Sequence, residues 1–227
     1  MIAVVDYGIG NLRSAEKALQ HLGAHARLVD QPDELATAVG VVLPGVGAFG
    51  RCAQALAASG LGEAARAAIA RHVPFLGICV GLQLLYEGSE ESPDARGLGV
   101  FEGVVRRLPA GVKRPQMQWN RLVAVGGRSS ALLSGLGAEP WVYFVHSFAP
   151  PVGDETVAIC DYGGAVAAAV EEGAVWGTQF HPEKSGVTGL AVLANFLRHC
   201  GVTVAAPSAR SASGRQPRAP AQPDGAS

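Results

Sequence analysis

Residues 74–83 read Pro74-Phe75-Leu76-Gly77-Ile78-Cys79-Val80-Gly81-Leu82-Gln83: a short apolar run, a cysteine between two glycines, and the start of a helical pattern. An apolar run of that length feeding a helix reads as a strand buried on both faces, the repeating unit of a parallel sheet. The same unit recurs upstream. Ile2–Val5 reads as a strand, and residues 11–22 as a helix with Leu12, Ala15, Leu19 and Leu22 on one face and Gly23 at its end. Ala26–Val29 is a second strand, residues 33–38 a short helix, and residues 41–43 a third strand running into Pro44-Gly45-Val46-Gly47. The alanine-rich residues 49–72 read as helical with a break at Gly60, and the helix that follows Cys79 is expected over residues 81–87.

Beyond Gly97 the pattern changes to shorter strand-like runs at residues 100–108, 122–125, 142–147, 157–162, 165–170 and 175–180. Gly, Pro, Asn and Asp separate them, as hairpin connections require. A last helix is expected over residues 188–199. These elements predict a three-layer α/β domain spanning residues 1–204, with a mixed, mainly parallel central sheet and no internal repeat. Residues 205–227 are rich in Ala, Pro, Ser and Arg and carry no large apolar side chain, so a disordered tail is expected there.

Composition narrows the function. The chain has 227 residues, 48% hydrophobic and 16% charged, which suits one globular domain and excludes an intrinsically disordered protein. Eighteen Lys+Arg against nineteen Asp+Glu leave a net charge of −1, no field to attract nucleic acid or an anionic membrane. No apolar run reaches the roughly 18–20 residues of a spanning helix. An acid at Asp6 and the lack of a basic leader point to a cytoplasmic protein. Cys52, Cys79, Cys160 and Cys200 lack C-x-x-C spacing, so neither a disulfide framework nor a zinc site is expected, and no metal or cofactor is implied.

Cys79 carries the sharpest chemical signal. A lone cysteine is ordinarily a small buried hydrophobe. Glycines at both flanking offsets of a strand-to-helix turn instead match the G-x-nucleophile-x-G elbow, and the positive end of the following helix would favour a thiolate. A cysteine nucleophile needs a base and an orienting group. Gln179-Phe-His-Pro-Glu183 offers both, because His181 and Glu183 stand two apart and, in extended backbone, would share one side. His21, His25, His72 and His199 sit on or beside helices and read as surface or core, and a structural or substrate-loop role is expected for His146. The Leu43-Pro-Gly-Val-Gly-Ala-Phe49 loop could present backbone N–H groups to an oxyanion, although such loops are equally often plain turns.

Together these residues resemble the class I (triad) glutamine amidotransferases, and within them the glutaminase subunits of imidazole glycerol phosphate synthase. The resemblance rests on six blocks in order: Asp6-Tyr-Gly-Ile-Gly-Asn-Leu-Arg-Ser14, Leu43-Pro-Gly-Val-Gly-Ala-Phe49, Gly77-Ile-Cys-Val-Gly-Leu-Gln-Leu-Leu85, Gly97-Leu-Gly99, Tyr143-Phe-Val-His-Ser147 and Gln179-Phe-His-Pro-Glu-Lys-Ser185. It covers roughly residues 1–200. It implies a flavodoxin-like fold, a catalytic triad of Cys79, His181 and Glu183, and a glutamine site at Gly45, Val46, Gly47, Val80, Gln83, Ser147 and Phe148. It further implies a (β/α)8-barrel cyclase partner docked at Asn11, Trp119, Tyr143 and Lys184, which receives ammonia drawn from L-glutamine. Without the resemblance, those four read as a loop cap, two core aromatics and a solvated lysine. Arg114-Pro-Gln-Met-Gln-Trp-Asn120 departs from the family's V-P-H-M-G-W-N block at Gln116 and Gln118, outside the triad. A pyridoxal-phosphate synthase glutaminase, a related hydrolase acting alone, and a non-catalytic partner-binding subunit are the competing readings.

Overall fold

Strands alternate with helices through the first part of the chain, in the computed structural model that describes residues 1–204. Their order is β1 (Ile2–Val5), α1 (Leu12–His21), β2 (Ala26–Val29), α2 (Pro32–Leu35), β3 (Gly40–Gly45), α3 (Phe49–Ala58), α4 (Leu61–Ala70), β4 (Phe75–Cys79) and α5 (Val80–Gln83). The second part is mostly strand: β5 (Tyr86–Ser89), β6 (Phe101–Arg107), β7 (Gln116–Arg121), β8 (Val123–Ala124), β9 (Trp141–His146), β10 (Phe148–Ala149), β11 (Thr156–Asp161), β12 (Ala165–Glu172) and β13 (Val175–Thr178). A 3-10 turn, Pro182–Lys184, then leads into α6 (Gly186–His199).

The central sheet has eight strands in the order β2-β1-β3-β4-β13-β12-β11-β8. The five from β2 to β13 run parallel, and β12, β11 and β8 add antiparallel pairs. β1, β3, β4 and β13 are buried along their whole length, which explains why they read as unbroken apolar runs. Helices α1 and α6 pack beside each other, as do α3 and α4, so the sheet lies between two helical layers. On α6, Phe196 is fully buried with its ring edge-on to Trp176 at 6.2 Å. Burying a side chain of that size contributes about 1.5–3 kcal/mol.

Three expectations need correction. The helix expected over residues 81–87 ends at Gln83, and Tyr86–Ser89 pairs with β6 as a strand. Tertiary contacts decide this: Tyr86 is fully buried, its ring lies 5.4 Å from Phe101, and its hydroxyl donates to Glu155 at 2.6 Å. The β7 strand was not expected, because Gln116-Met-Gln-Trp-Asn-Arg121 lacks β-branched residues; it forms only against β9, in register Gln116↔His146 through Arg121↔Trp141. Finally, the runs at residues 100–108 and 142–147 lie in two small separate sheets, β10-β6-β5 and β7-β9, rather than in the central one. The tail expectation for residues 205–227 falls outside the described residues.

Candidate active site

The carboxyl ends of β1, β3, β4 and β13 converge on one edge of the sheet, the place where open α/β sheets offer a crevice. Each strand delivers a different group there. β4 ends at Cys79, whose φ of +56° is left-handed and rare for a residue with a side chain. The two glycines beside it permit this turn by close approach. A Cβ on Gly77 would meet the Gly81 carbonyl and the Leu82 N–H at 2.8 Å, and a Cβ on Gly81 would collide with the Leu43 carbonyl. The expected long helix after the cysteine is a single turn, so its peptide dipoles sum to little. The charge available to the thiol comes from a side chain instead.

That side chain is His181. Its Nδ1 pairs with Glu183 Oε1 at 2.8 Å, and both side chains are only 2% exposed. The pair forms in the 3-10 turn and not in extended backbone as expected from the sequence, because His181 caps Pro182–Lys184 and the turn brings Glu183 back under the ring. Around it, Ser185 Oγ donates to the His181 carbonyl at 2.7 Å and accepts the Tyr143 N–H at 2.9 Å, tying the turn to β9. His181 Nε2 has no hydrogen-bond partner of normal geometry, and the Cys79 sulfur is its polar neighbour. Burial disfavours the imidazolium, but Cys79 and Glu183 outweigh it and hold the His181 pKa up to about 9. The arrangement therefore combines a cysteine sulfur, an imidazole charged at neutral pH and a carboxylate that orients it.

A cavity of about 600 Å³ opens over Cys79 and His181. Of the residues expected for glutamine, Val46, Gly47, Val80, Gln83, Ser147 and Phe148 line it, whereas Gly45 is buried behind the wall. Gln83 is already anchored, donating to the Phe148 carbonyl at 2.9 Å and to Gln179 Oε1 at 3.1 Å. Of the residues expected at a partner interface, Asn11 and Lys184 line the cavity. Asn11 also reaches Glu183 Oε1 at 3.5 Å. Trp119 and Tyr143 stand outside, edge to face at 6.2 Å on the outer face of the β7-β9 ribbon, where Met117 and Trp141 are exposed.

Sequence reasoning missed several residues. Gln179 lies within the motif that carries His181, and its amide reaches Cys79 Sγ at 3.7 Å. Glu91 lines the cavity and accepts the Phe49 N–H at 2.7 Å, and no motif pointed to it. His146 is not among the missed residues, since a structural or substrate-loop role is expected for it from the sequence, and it borders the cavity; burial pushes its pKa down to about 4, so it is neutral at pH 7, with Nδ1 bonded to the Phe148 carbonyl at 2.9 Å. Among the described residues, no group of three or more His, Cys, Asp or Glu is placed to hold a metal ion, and no helix is long and apolar enough to cross a membrane.

The family model "Glutamine amidotransferase class-I" matches residues 3–200. The chain is 45% identical over 205 residues to "Imidazole glycerol phosphate synthase subunit HisH" of Moorella thermoacetica, covering 88% of this chain and 97% of that protein. It is 48% identical over 198 residues to the protein of the same name from Methanothermobacter thermautotrophicus, covering 87% and 98%. Among solved structures, "Crystal structure of glutamine amidotransferase" superposes with a TM-score of 0.71 at 22% identity, covering 88% of this chain and 99% of that one. "Structure of PurLQS from Thermotoga maritima" follows with a TM-score of 0.68 at 21% identity, covering 87% and 97%. At those identities the structures bear on the fold alone.

Proposed function

The chain belongs to the class I glutamine amidotransferase family, and from that premise we propose that it is the glutaminase subunit of an imidazole glycerol phosphate synthase. The observation that carries the reading is the buried Cys79–His181–Glu183 cluster under an open cavity at the carboxyl edge of the sheet. Its likeness to the HisH subunits, across nearly the full length of each, supports the choice of synthase.

Glutamine lies in the cavity with its side-chain amide over Cys79. The sulfur attacks the amide carbon, and backbone N–H groups of Val80 and of the loop at residues 45–47 hold the oxyanion. His181 gives its proton to the departing nitrogen, the C–N bond breaks, and ammonia leaves a γ-glutamyl thioester. The imidazole, now neutral, takes a proton from water as that water attacks the thioester. Glutamate departs and the thiolate–imidazolium pair is restored, so one glutamine and one water give one glutamate and one ammonia. Glu183 holds the imidazole through Nδ1 throughout. Gln83, Ser147 and Phe148 shape the pocket, and the Glu91 carboxylate on its wall suits the α-ammonium of the substrate.

A (β/α)8-barrel cyclase docks over Asn11, Trp119, Tyr143 and Lys184 and takes the ammonia. With that ammonia it cleaves a phosphoribulosyl-formimino aminoimidazole carboxamide ribonucleotide and closes the imidazole ring, giving imidazole glycerol phosphate and aminoimidazole carboxamide ribonucleotide. The test is Cys79→Ala in the complex, which is expected to lose glutamine-dependent synthesis and keep synthesis from added ammonia. Glutamine-dependent synthesis by that variant would overturn the nucleophile assignment. Failure of the chain to co-purify with a cyclase would overturn the choice of synthase and return the question to the pyridoxal-phosphate synthase reading.

A further inference from the structure

The nucleophile has a second side-chain neighbour that the triad does not include. Gln179 follows β13, its backbone N–H held by the Ala168 carbonyl of β12 at 2.9 Å, and its side chain is fully buried. An amide has two unlike ends, a nitrogen that donates and an oxygen that accepts. One backbone carbonyl fixes which end meets the sulfur. The Phe148 carbonyl can only accept, so the Gln83 atom 2.9 Å from it is the nitrogen. That nitrogen also donates to Gln179 at 3.1 Å, so the Gln179 atom there is the oxygen. The Gln179 nitrogen is left facing Cys79 Sγ at 3.7 Å. His146 Nδ1 takes the second acceptor position of the Phe148 carbonyl at 2.9 Å, and Gln83 is itself buried, which leaves the chain of amides little freedom to turn over.

We propose that Gln179 is a further catalytic residue, whose amide N–H donates to the Cys79 sulfur and favours its thiolate. The proposal rests on the glutaminase reading above. An N–H bonds a charged acceptor more strongly than a neutral one, so this contact selects the ionised sulfur. It opposes the Val145 carbonyl, which stands 3.9 Å from the sulfur, can only accept, and favours the protonated thiol. The same donor assists when the thioester is hydrolysed, because the sulfur then departs as a thiolate. The other titratable groups around the sulfur are His181 with Glu183 behind it, Tyr7 after β1, Cys52 on α3, and His146, Glu91 and Lys184 on the cavity wall. Burial keeps Tyr7 and Cys52 protonated and His146 neutral, so none of these three supplies a positive charge to the sulfur at pH 7.

The experiment uses the full-length chain and follows alkylation of Cys79 by iodoacetamide across pH, read by mass spectrometry, in wild type, Gln179→Met and Gln179→Glu. Met removes both ends of the amide. Glu keeps its shape and the acceptor for Gln83 but replaces the donor with an acidic oxygen. In Gln179→Met the midpoint of alkylation is expected to move about one pH unit toward alkaline, the size of one hydrogen bond to a charged group. In Gln179→Glu it is expected to move at least as far. The acid limb of kcat/KM for glutamine hydrolysis, measured with the cyclase present, is expected to follow. If Gln179 merely anchored Gln83, Gln179→Glu would behave as wild type, and Gln179→Met would raise KM with no change in the midpoint. A wild-type circular dichroism spectrum reports folding, and Gln179→Glu carries the test if Gln179→Met does not fold. The proposal is overturned if the midpoint of a folded variant stays put or moves toward acid, or if the acid limb of kcat/KM does not follow it. Absence of glutamine hydrolysis in the wild-type complex would instead overturn the glutaminase reading, and the alkylation midpoint would still decide whether Gln179 acts on the sulfur.

Discussion

At the scale of the residue, His181 sits where two forces oppose. Burial alone would leave it neutral, and a neutral imidazole could not protonate a leaving amine. Its neighbours reverse that balance and hold its pKa up to about 9 against an ordinary 6.5. A histidine with a raised folded pKa stabilises the fold in full below about 6.5, and that stabilisation disappears as pH rises through about 9. Glu183→Gln removes one of the two supporting charges and leaves the geometry nearly unchanged. Glutamine hydrolysis by this variant is expected to fall in kcat by about 10²–10⁴ with KM little altered, by analogy with the loss of an orienting carboxylate in other triads. Urea unfolding from pH 6 to 10 should show the stability gap between wild type and Glu183→Gln narrowing as the medium becomes alkaline. A gap independent of pH would mean that Glu183 does not set the charge of His181.

At the scale of the element, the turn from β4 to α5 is the demanding piece. Cys79 adopts a left-handed backbone only because β3 and the first turn of α5 press together with no side chain between them. Gly81→Ala would drive a methyl into the Leu43 carbonyl, a backbone atom that cannot swing aside. The expected cost is about 3 kcal/mol, at the upper end for overpacking, and denaturant titration measures it. The elements flanking this turn could be read from the sequence because they are buried on both faces, and burial leaves its mark as apolar runs and glycine stops. β5 and β7 could not. Tyr86–Ser89 continues a helical pattern, and Gln116–Arg121 is polar; each becomes a strand only because β6 or β9 offers a row of backbone partners.

For the whole molecule, the outer face of the β7-β9 ribbon extends the cavity rim into a surface where Met117 is 62% and Trp141 41% exposed, beside the Trp119–Tyr143 pair. Aromatic side chains grouped on an open face are the anchors that partner interfaces use. Trp119→Ala is expected to weaken binding of the proposed cyclase partner by about tenfold or more, the usual cost of losing such an anchor, and calorimetric titration of the two subunits measures it. Unchanged affinity would move the docking face elsewhere. The sequence by itself determined the parallel α/β core, the elbow around Cys79 and the pairing of His181 with Glu183, because short-range spacing and apolar periodicity carry all three. Only the tertiary structure decided how the pair meets, since it is a 3-10 turn and not an extended strand that folds Glu183 under the ring. It also decided which distant residues join the site. Glu91 and Gln179 reach the cavity and the Cys79 sulfur through contacts between elements far apart in the chain, which no local pattern encodes.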